Sequence, residues 1–411
     1  MRLWRIQTGR RLAPFGESVG ELIVAPETLA RQQERTCARL GIELEDVSGL
    51  FPLEVGPGLI LFDDAFVNEA ALDHFVQHTH VPGTAALCLG DDALGRFVQP
   101  GLGGETLSGQ AAVVGLFVVD HRVVQSGGVA LWQQLVREAR PVLLGSAPSE
   151  RERLPGFPSR QPVLEIPRGQ AVAARLTLWP QLLWLNQALA YARDPARERS
   201  GNQIAGDARV HPTAHIEHSS IGPRTVIEAH ATVHDSILGA ECHLGDHSAL
   251  TGCVLGDGCQ TLAGSLLRRV VAFPGATLSS LGLDEVLVGR RSFLTTASIF
   301  FATRLGENPE VEIDGSEVDC GRPRLGGCVG HDVVLGARAI FEPARVIPNG
   351  ATVVMRPEEG VARIEIEAGD VCCWDQGSLR RVDRVFPSHQ PPELDDNPEP
   401  GPAAAARETP R

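Results

Sequence analysis

Large apolar residues recur through the middle of the chain at steps of six, six and five positions, a period of seventeen residues repeated three times. The residues that carry this period are Ile204, Val210, Ile216, Ile221, Ile227, Val233, Leu238, Leu244, Leu250 and Leu255. Nine of them have a small residue two positions earlier: Ala208, Ala214, Ser219, Thr225, Ala231, Ser236, Cys242, Ser248 and Cys253. This signal outranks others in the sequence, because each unit of a repeat buries its apolar side chains only against the neighbouring units.

The register predicts three short strands in every unit, each placing one large and one small side chain inside a narrow triangular prism. Glycine is frequent just after the strands, as at Gly222, Gly239, Gly245 and Gly256, where tight corners favour a residue that tolerates unusual backbone angles. We therefore expect a left-handed parallel β-helix of hexapeptide repeats.

The same pattern returns after a break and sets the bounds of this domain. Its large residues there are Val329, Leu335, Phe341, Ile347 and Val353. The β-helix is expected over residues 203–355, with an irregular insertion near 303–324. A strand-rich cap over 361–386 would protect the open end from edge pairing, and the Pro-, Glu- and Ala-rich residues 387–411 are expected to be disordered.

Residues 1–196 lack the repeat and alternate apolar runs with helix-like stretches. Leu59 to Phe62 and Ala112 to Val119 are such runs, and Thr28 to Leu40 and Val129 to Arg140 are typical of helices. This alternation predicts an α/β domain around a largely parallel sheet. The expected fold class is therefore a Rossmann-like α/β domain followed by a left-handed parallel β-helix.

Charge and cysteine content limit the class of partner. The chain has a formal net charge of −14 and contains no lysine, so all 37 basic residues are arginine. Nucleic acid and anionic membranes are bound by clustered basic residues, so neither is an expected partner. The nine cysteines form no Cys-x-x-Cys pair, which favours a reduced, cytoplasmic protein.

The segment from Gly9 to Phe15 reads Gly-Arg-Arg-Leu-Ala-Pro-Phe, and a later apolar run ends in Asp63 and Asp64. With hexapeptide coils after an α/β domain, these residues resemble the nucleoside-diphosphate-sugar pyrophosphorylases. The resemblance is particularly to the bifunctional N-acetylglucosamine-1-phosphate uridyltransferase/glucosamine-1-phosphate acetyltransferases. It implies that Arg11 binds nucleotide phosphates and that Asp63 or Asp64 binds magnesium.

The chain departs from that family in the loop that would hold the phosphates. Gly9 is the one glycine left of a glycine-rich loop, so fewer backbone N–H groups are placed to bind a triphosphate. The family's lysine has no counterpart, because Gly20 and Glu21 stand near its position. Transfer of such groups depends on positive charge beside the moving phosphates, so nucleotidyl transfer is expected to be lost or impaired.

The β-helix resembles that of hexapeptide acyltransferases, which implies a homotrimer and a histidine base in the trimer groove beside the arm of coenzyme A. By this resemblance His230, His247 or His331 deprotonates the acceptor. The donor would be acetyl-CoA or another acyl-CoA, and the acceptor a sugar phosphate or nucleotide sugar. His230 and His247 are seventeen residues apart, so their imidazoles should stack at one corner, about 4.8 Å from coil to coil.

Other interpretations stay open. The stacked pair could be a base with its orienting partner, bind a metal shared between subunits, or be polar residues that fill a corner. A γ-type carbonic anhydrase also has this coil, with three histidines that join zinc across a trimer interface. For the whole chain, the alternative to a transferase is a non-catalytic homologue that binds a sugar nucleotide and regulates or scaffolds a partner.

Overall fold

The computed structural model describes residues 1–48, 52–79, 82–100, 102, 105–107, 111–145, 148–153, 163–192, 201–279, 282–304, 307–354, 367, 369–375 and 378–381. In this part of the chain an α/β domain precedes a left-handed parallel β-helix, so the predicted fold class is confirmed.

A mixed seven-stranded sheet forms the centre of the α/β domain, so the expectation of a largely parallel sheet is wrong. Six of its strands follow one another across the sheet in the order Arg140–Leu143, Ala85–Leu89, Ala111–Val119, Gly58–Phe62, Arg2–Gln7 and Glu43–Ser48. The seventh, Thr106–Leu107, pairs with Ala111–Val119. The long strand Ala111–Val119 is antiparallel to both of its main neighbours, whereas Arg2–Gln7 is parallel to the strands on either side.

Five α-helices lie in the described part of this domain. They are α1 (Leu29–Arg39), α2 (Glu69–Gln77), α3 (Ala93–Val98), α4 (Gly128–Glu138) and α5 (Trp179–Tyr191). Side-chain oxygens of Thr28, Asn68 and Asp92 accept hydrogen bonds from the first turns of α1, α2 and α3, which satisfies N–H groups that have no partner within the helix. A 3₁₀ helix spans Val19–Glu21. Helix α5 is the most deeply buried of the long helices, with nearly all of its residues buried.

Short two-stranded sheets complete the α/β domain. They pair Arg11–Leu12 with Glu17–Ser18, Ile23–Val24 with Glu27–Thr28, Leu53–Val55 with Val123–Gln125, Ala65–Val67 with Ala173–Arg175, and Ser149–Arg153 with Val163–Pro167. None of the described helices is long and apolar enough to cross a bilayer.

The β-helix has three faces built from parallel strands. The first face contains Gln203–Ile204, Ser220–Ile221, Ile237–Leu238, Val254–Leu255, Val271–Ala272, Val286–Val288, Gly327–Val329 and Arg345–Ile347. The second contains Arg209–Val210, Val226–Ile227, His243–Leu244, Gln260–Thr261, Thr277–Leu278, Phe293–Leu294, Val334–Leu335 and Thr352–Val354, followed by Val371–Asp375 and Ser378–Arg381. The third contains His215–Glu217, Thr232–His234, Ala249–Thr251, Leu266–Arg268 and Leu283–Asp284, and Ile299–Phe300 pairs with Ile340–Phe341 in later coils.

The strand register places residues seventeen positions apart over one another. Ile221 pairs with Leu238 and Leu238 with Leu255, and all three side chains are buried in one interior column. The small residues two places before them, Ser219, Ser236 and Cys253, form a second buried column whose polar atoms have backbone partners. The Ser219 hydroxyl, for example, donates to the carbonyl of Val233. Because these hydroxyls are satisfied inside the prism, they do not carry the cost of an unpaired buried polar group.

The α/β domain covers the first face of the β-helix. The residues that point outward from this face are apolar in successive coils, and Val254, Val271, Leu287 and Cys328 belong to the same core as the α/β domain. Helix α5 contacts the strands that carry Val254, Val271 and Leu287. The two domains therefore share one hydrophobic core, and the second and third faces are left to other contacts.

A hairpin of Glu310–Ile313 and Ser316–Asp319 lies in the segment where the sequence predicts an irregular insertion. Of the predicted cap, the structure describes residue 367 and residues 369–375 and 378–381, where Val371–Asp375 and Ser378–Arg381 pair antiparallel. The predicted disordered tail, 387–411, lies outside the described residues.

Candidate active site

His230 and His247 stack at the second corner of the β-helix, where the chain passes from the second face to the third. Their ring centroids are 4.9 Å apart and the ring planes differ by 16°. Both residues have positive φ, 59° and 58°, a backbone conformation in which histidine is enriched among non-glycine residues. The His230 N–H donates to the Thr213 hydroxyl and the His247 N–H to the carbonyl of Ala229, so the backbone of each coil fixes the pair.

The surroundings of this pair are exposed and partly apolar. Gly264 occupies the same corner position in the next coil, with φ of 73°, and a Cβ there would meet no atom of the described residues within 4 Å. Leu262 and Leu266 flank Gly264 and are each half-exposed. The nearby carboxylate of Asp246 accepts a hydrogen bond from the Ala229 N–H, so it holds the backbone of the corner. The corner thus combines two accessible imidazoles with an apolar edge.

A second group of polar side chains lies on the third face, in the first two coils. The Nε2 atom of His215 is 3.0 Å from one oxygen of Glu217, and Nδ1 of His234 is 3.1 Å from the other. The hydrogen bond from His215 is the main cause that lowers the pKa of Glu217. Glu217 is not among the site residues predicted from the sequence, although its spacing of seventeen residues from His234 indicates direct stacking.

His331 lies at a different corner, the first, and is buried where the two domains meet. Its ring packs against Phe15 and Phe273, with centroids 4.8 and 5.8 Å away. Nδ1 accepts a hydrogen bond from the Arg290 N–H, and Nε2 is 3.4 Å from the carboxylate of Glu17. Burial lowers the pKa of His331 to about 4. The structure does not bring this residue together with His230 and His247, and its role as a base stays a prediction.

The predicted magnesium ligands are buried at the end of the strand Gly58–Phe62. Asp63 accepts hydrogen bonds from the backbone N–H of Thr8 at 3.0 Å and from its hydroxyl at 2.6 Å. One oxygen of Asp64 is 3.1 Å from Nε of Arg10 and 3.3 Å from Nε of Arg175. Burial raises the pKa of Asp64, and the two guanidinium groups oppose that shift.

These contacts do not fit a magnesium ion. A hard divalent cation needs several carboxylate or water oxygens, whereas Asp64 faces two fixed positive charges. The Arg175 guanidinium lies 3.4 Å from the Trp132 ring centroid, which holds it in place. Arg11, the predicted phosphate ligand, is exposed and donates to the carbonyl of Gly16. It is Arg10 rather than Arg11 that the fold brings to Asp64, and the phosphate-binding role of Arg11 stays a prediction.

A cleft of about 650 Å³ lies between α1, α2 and the first face of the β-helix. Polar and apolar residues line it in similar measure, and the polar ones include Gln32, Arg35, Arg39, Asn68 and Asp73. The two arginines are paired with Glu27 and Glu69. A cleft at a domain junction with groups of both signs is suited to a polar small molecule.

No model of a known protein family matches the sequence, and no curated protein matches it. Among solved structures, the chain is similar to a mutant of AntD, an N-acyltransferase from Bacillus cereus in complex with dTDP-4-amino-4,6-dideoxyglucose and coenzyme A. The identity is 14%, the match covers 46% of this chain and 86% of that one, and the TM-score is 0.20. AntD in complex with dTDP and 3-hydroxybutyryl-CoA gives 13% identity, coverage of 46% and 85%, and a TM-score of 0.22.

The polysialic acid O-acetyltransferase OatWY gives 14% identity, coverage of 47% of this chain and 96% of that one, and a TM-score of 0.24. Identities and TM-scores this low carry no argument about activity. The strand register and the side chains of this chain are therefore the basis on which its function is inferred.

Proposed function

We propose that the protein is an acyltransferase that moves an acyl group from an acyl-CoA to an amine or hydroxyl of a sugar phosphate or nucleotide sugar. The observation that carries the proposal is the stacked pair of His230 and His247, which presents two imidazoles at an exposed corner of a rigid β-helix. Histidine is the side chain that most often serves as general base near neutral pH.

In the proposed reaction, one ring of the pair acts as the general base. The neutral ring takes the proton of the acceptor O–H or N–H as that atom attacks the thioester carbonyl. The tetrahedral intermediate then expels the coenzyme A thiolate, which receives the proton from the imidazolium.

The apolar edge beside the pair supports both donor binding and assembly. Leu262 and Leu266 are half-exposed next to the corner, where they offer an apolar surface to a pantetheine arm or to a second copy of the chain. The first face is covered by the α/β domain, so a homotrimer would use the second and third faces. We infer that the groove of such a trimer runs along the corner of His230 and His247.

The α/β domain, in this proposal, does not catalyse nucleotidyl transfer. Arg10 and Arg175 occupy the surroundings of Asp64, and Asp63 is held by Thr8. These carboxylates support the strand ends instead of holding a metal. The domain supports the β-helix through α5, which is consistent with a chain whose catalytic chemistry lies on the coil.

A second candidate function is a non-catalytic sugar-nucleotide-binding protein. The cleft between α1, α2 and the first face favours it, because a ligand there would contact Arg35 and Arg39, and no proposed base is among the residues that line the cleft. Binding at a domain junction also suits a protein that senses a metabolite and signals to a partner.

Release of free thiol from acetyl-CoA tests the proposal against this alternative. The purified chain is incubated with acetyl-CoA and a panel of amino and hydroxy sugar phosphates and nucleotide sugars. Thiol release that depends on one acceptor, with acylated product seen by mass spectrometry, supports the acyltransferase. Absence of release across the panel, with calorimetric binding of a nucleotide sugar intact, contradicts it and favours the second function. Sedimentation of the protein as a stable monomer would contradict the proposed trimer and its groove.

A further inference from the structure

We propose that His215, Glu217 and His234 form a binding site for a divalent cation of the zinc class on the third face of the β-helix. The site is separate from the corner of His230 and His247 and uses none of the residues of the proposed acyl transfer. It is the one group of three such side chains, within the described residues, whose candidate ligand atoms all lie within 4.8 Å of one another.

The β-helix register creates this convergence. His215 and Glu217 are the first and third residues of one strand, so both point outward while Ile216 points into the prism. His234 pairs with Glu217 in the strand of the next coil, which sets its side chain directly over the carboxylate. Backbone hydrogen bonds between the coils, such as His215 N–H to the Ala231 carbonyl, hold the positions.

Two of the three distances between candidate donor atoms are close to those of a tetrahedral site, and all of the donor atoms lie within 4.8 Å of one another. Zinc–ligand bonds of about 2.0–2.1 Å at tetrahedral angles place neighbouring donor atoms about 3.3 Å apart. The Glu217 oxygens lie 3.0 Å from Nε2 of His215 and 3.1 Å from Nδ1 of His234. A cation between them would replace the hydrogen bonds that now join the two imidazoles to the carboxylate.

The donor set selects the type of ion. Two imidazole nitrogens and one carboxylate oxygen suit zinc and the neighbouring transition metals, whereas magnesium and calcium prefer oxygen ligands. His215 and Glu217 are exposed and His234 is partly exposed, so a fourth coordination position faces solvent. Three protein ligands with one open position are the arrangement of catalytic zinc sites, not of closed structural ones.

The second face of the β-helix provides a matched control. Nε2 of His243 lies 3.1 Å from the carboxylate of Glu228, at an exposed position of the second face. This pair has the same histidine–carboxylate contact but lacks the second imidazole. It should therefore bind a cation only weakly.

Calorimetric titration of Zn²⁺ into the full chain, freed of metal by a chelator and dialysed, tests the proposal. We expect one equivalent to bind in the wild type and in His243→Ala, and binding at least tenfold weaker in His234→Ala and in Glu217→Gln. Mg²⁺ alone should not bind at this site. Equal zinc affinity in all four proteins, or the same loss in His243→Ala as in His234→Ala, would overturn the site.

Two further measurements keep the result interpretable. Thermal unfolding of the metal-free variants checks that the β-helix is intact, and Glu217→Gln, which keeps the side-chain shape, serves if His234→Ala unfolds. The spectrum of bound Co²⁺ should lack the charge-transfer band of a cobalt–thiolate bond; its presence would place the ion on cysteine and contradict the proposal. We expect the His230→Ala, His247→Ala double variant to bind zinc with unchanged affinity. A loss of affinity in that variant would assign the ion to the stacked pair instead.

Discussion

Arg269 and Glu285 meet at the junction of the two domains, with Nε of the arginine 2.6 Å from Oε1 of the glutamate and side chains that are 1% and 0% exposed. They occupy successive positions of the third corner of the β-helix. Gln187, on α5, donates to the other oxygen of Glu285, so the pair also ties the helix to the coil. A buried charge network of this kind stabilises only while every member keeps its partners.

We predict that Glu285→Gln lowers the free energy of unfolding by up to about 3 kcal/mol, because the buried Arg269 guanidinium loses one carboxylate partner and keeps two others. The matched control is Glu241→Gln, which removes the exposed partner of Arg224 at the first corner. This exposed pair should contribute far less to stability, because water and salt screen its charges. Urea unfolding of both variants measures the difference. Equal losses of unfolding free energy would contradict the claim that the buried pair stabilises the junction more than the exposed pair stabilises its corner.

Gly252 is expected to tolerate no side chain, because a Cβ at this position would overlap the hydroxyl of Tyr191. Its φ is 64°, so Gly252→Ala carries both backbone strain and a clash with α5. Gly264→Ala is the matched control, since its φ is 73° and its Cβ would meet nothing within 4 Å. The control should cost about 1–2 kcal/mol of unfolding free energy. Gly252→Ala should cost clearly more by thermal unfolding, and equal costs would contradict the packing of α5 on this corner.

The interface around His331 should lose stability in acid. Its pKa in the folded protein is about 4, below the ordinary value of histidine, chiefly because of burial and also because of Arg290, while Asp332 opposes the shift. Glu17 faces Nε2. The unfolded chain therefore binds a proton that the folded chain rejects, so stability is full above pH 7 and falls as the pH drops from about 6.5 towards 4.

At pH 4 the low pKa of His331 lowers the free energy of unfolding by up to about 3 kcal/mol relative to pH 7. In His331→Asn, whose Oδ1 lies as many bonds from the backbone as Nδ1 and can still accept from the Arg290 N–H, this part of the pH dependence should disappear. Denaturant unfolding of both proteins between pH 7 and 4 checks it. Identical slopes of stability against pH would mean that His331 does not carry a depressed pKa.

The repeat explains why the β-helix could be predicted and the domain contact could not. Seventeen-residue spacing alone places Ile221, Leu238 and Leu255 in one column and brings the rings of His230 and His247 together. These are contacts between neighbouring coils, so a local period determines them.

The sequence did contain a sign that the first face of the β-helix is covered. Its outward positions Val254, Val271 and Leu287 are apolar, which indicates that something buries this face. That α5 does so is a contact between distant parts of the chain, which no period encodes.

The remaining site residues depend on such long-range contacts too. His331 is near a corner by its position in the repeat, but its burial comes from Phe15, which the α/β domain brings to it. Arg10 rather than Arg11 reaches Asp64 because the turn between strands directs neighbouring side chains apart. The contact of Glu217 with His234 could have been predicted from the sequence, because the two residues are seventeen positions apart.

The rate of acyl transfer from acetyl-CoA in His230→Ala and His247→Ala tests whether the stacked corner holds the base of an acyltransferase. The control is His121→Ala, an exposed histidine of the α/β domain paired with Asp120. Because general base catalysis contributes roughly 10²–10⁴-fold, we predict a loss of that order in at least one corner variant, with His121→Ala at the wild-type rate. Wild-type rates in both corner variants and in their double variant would contradict a catalytic base at this corner.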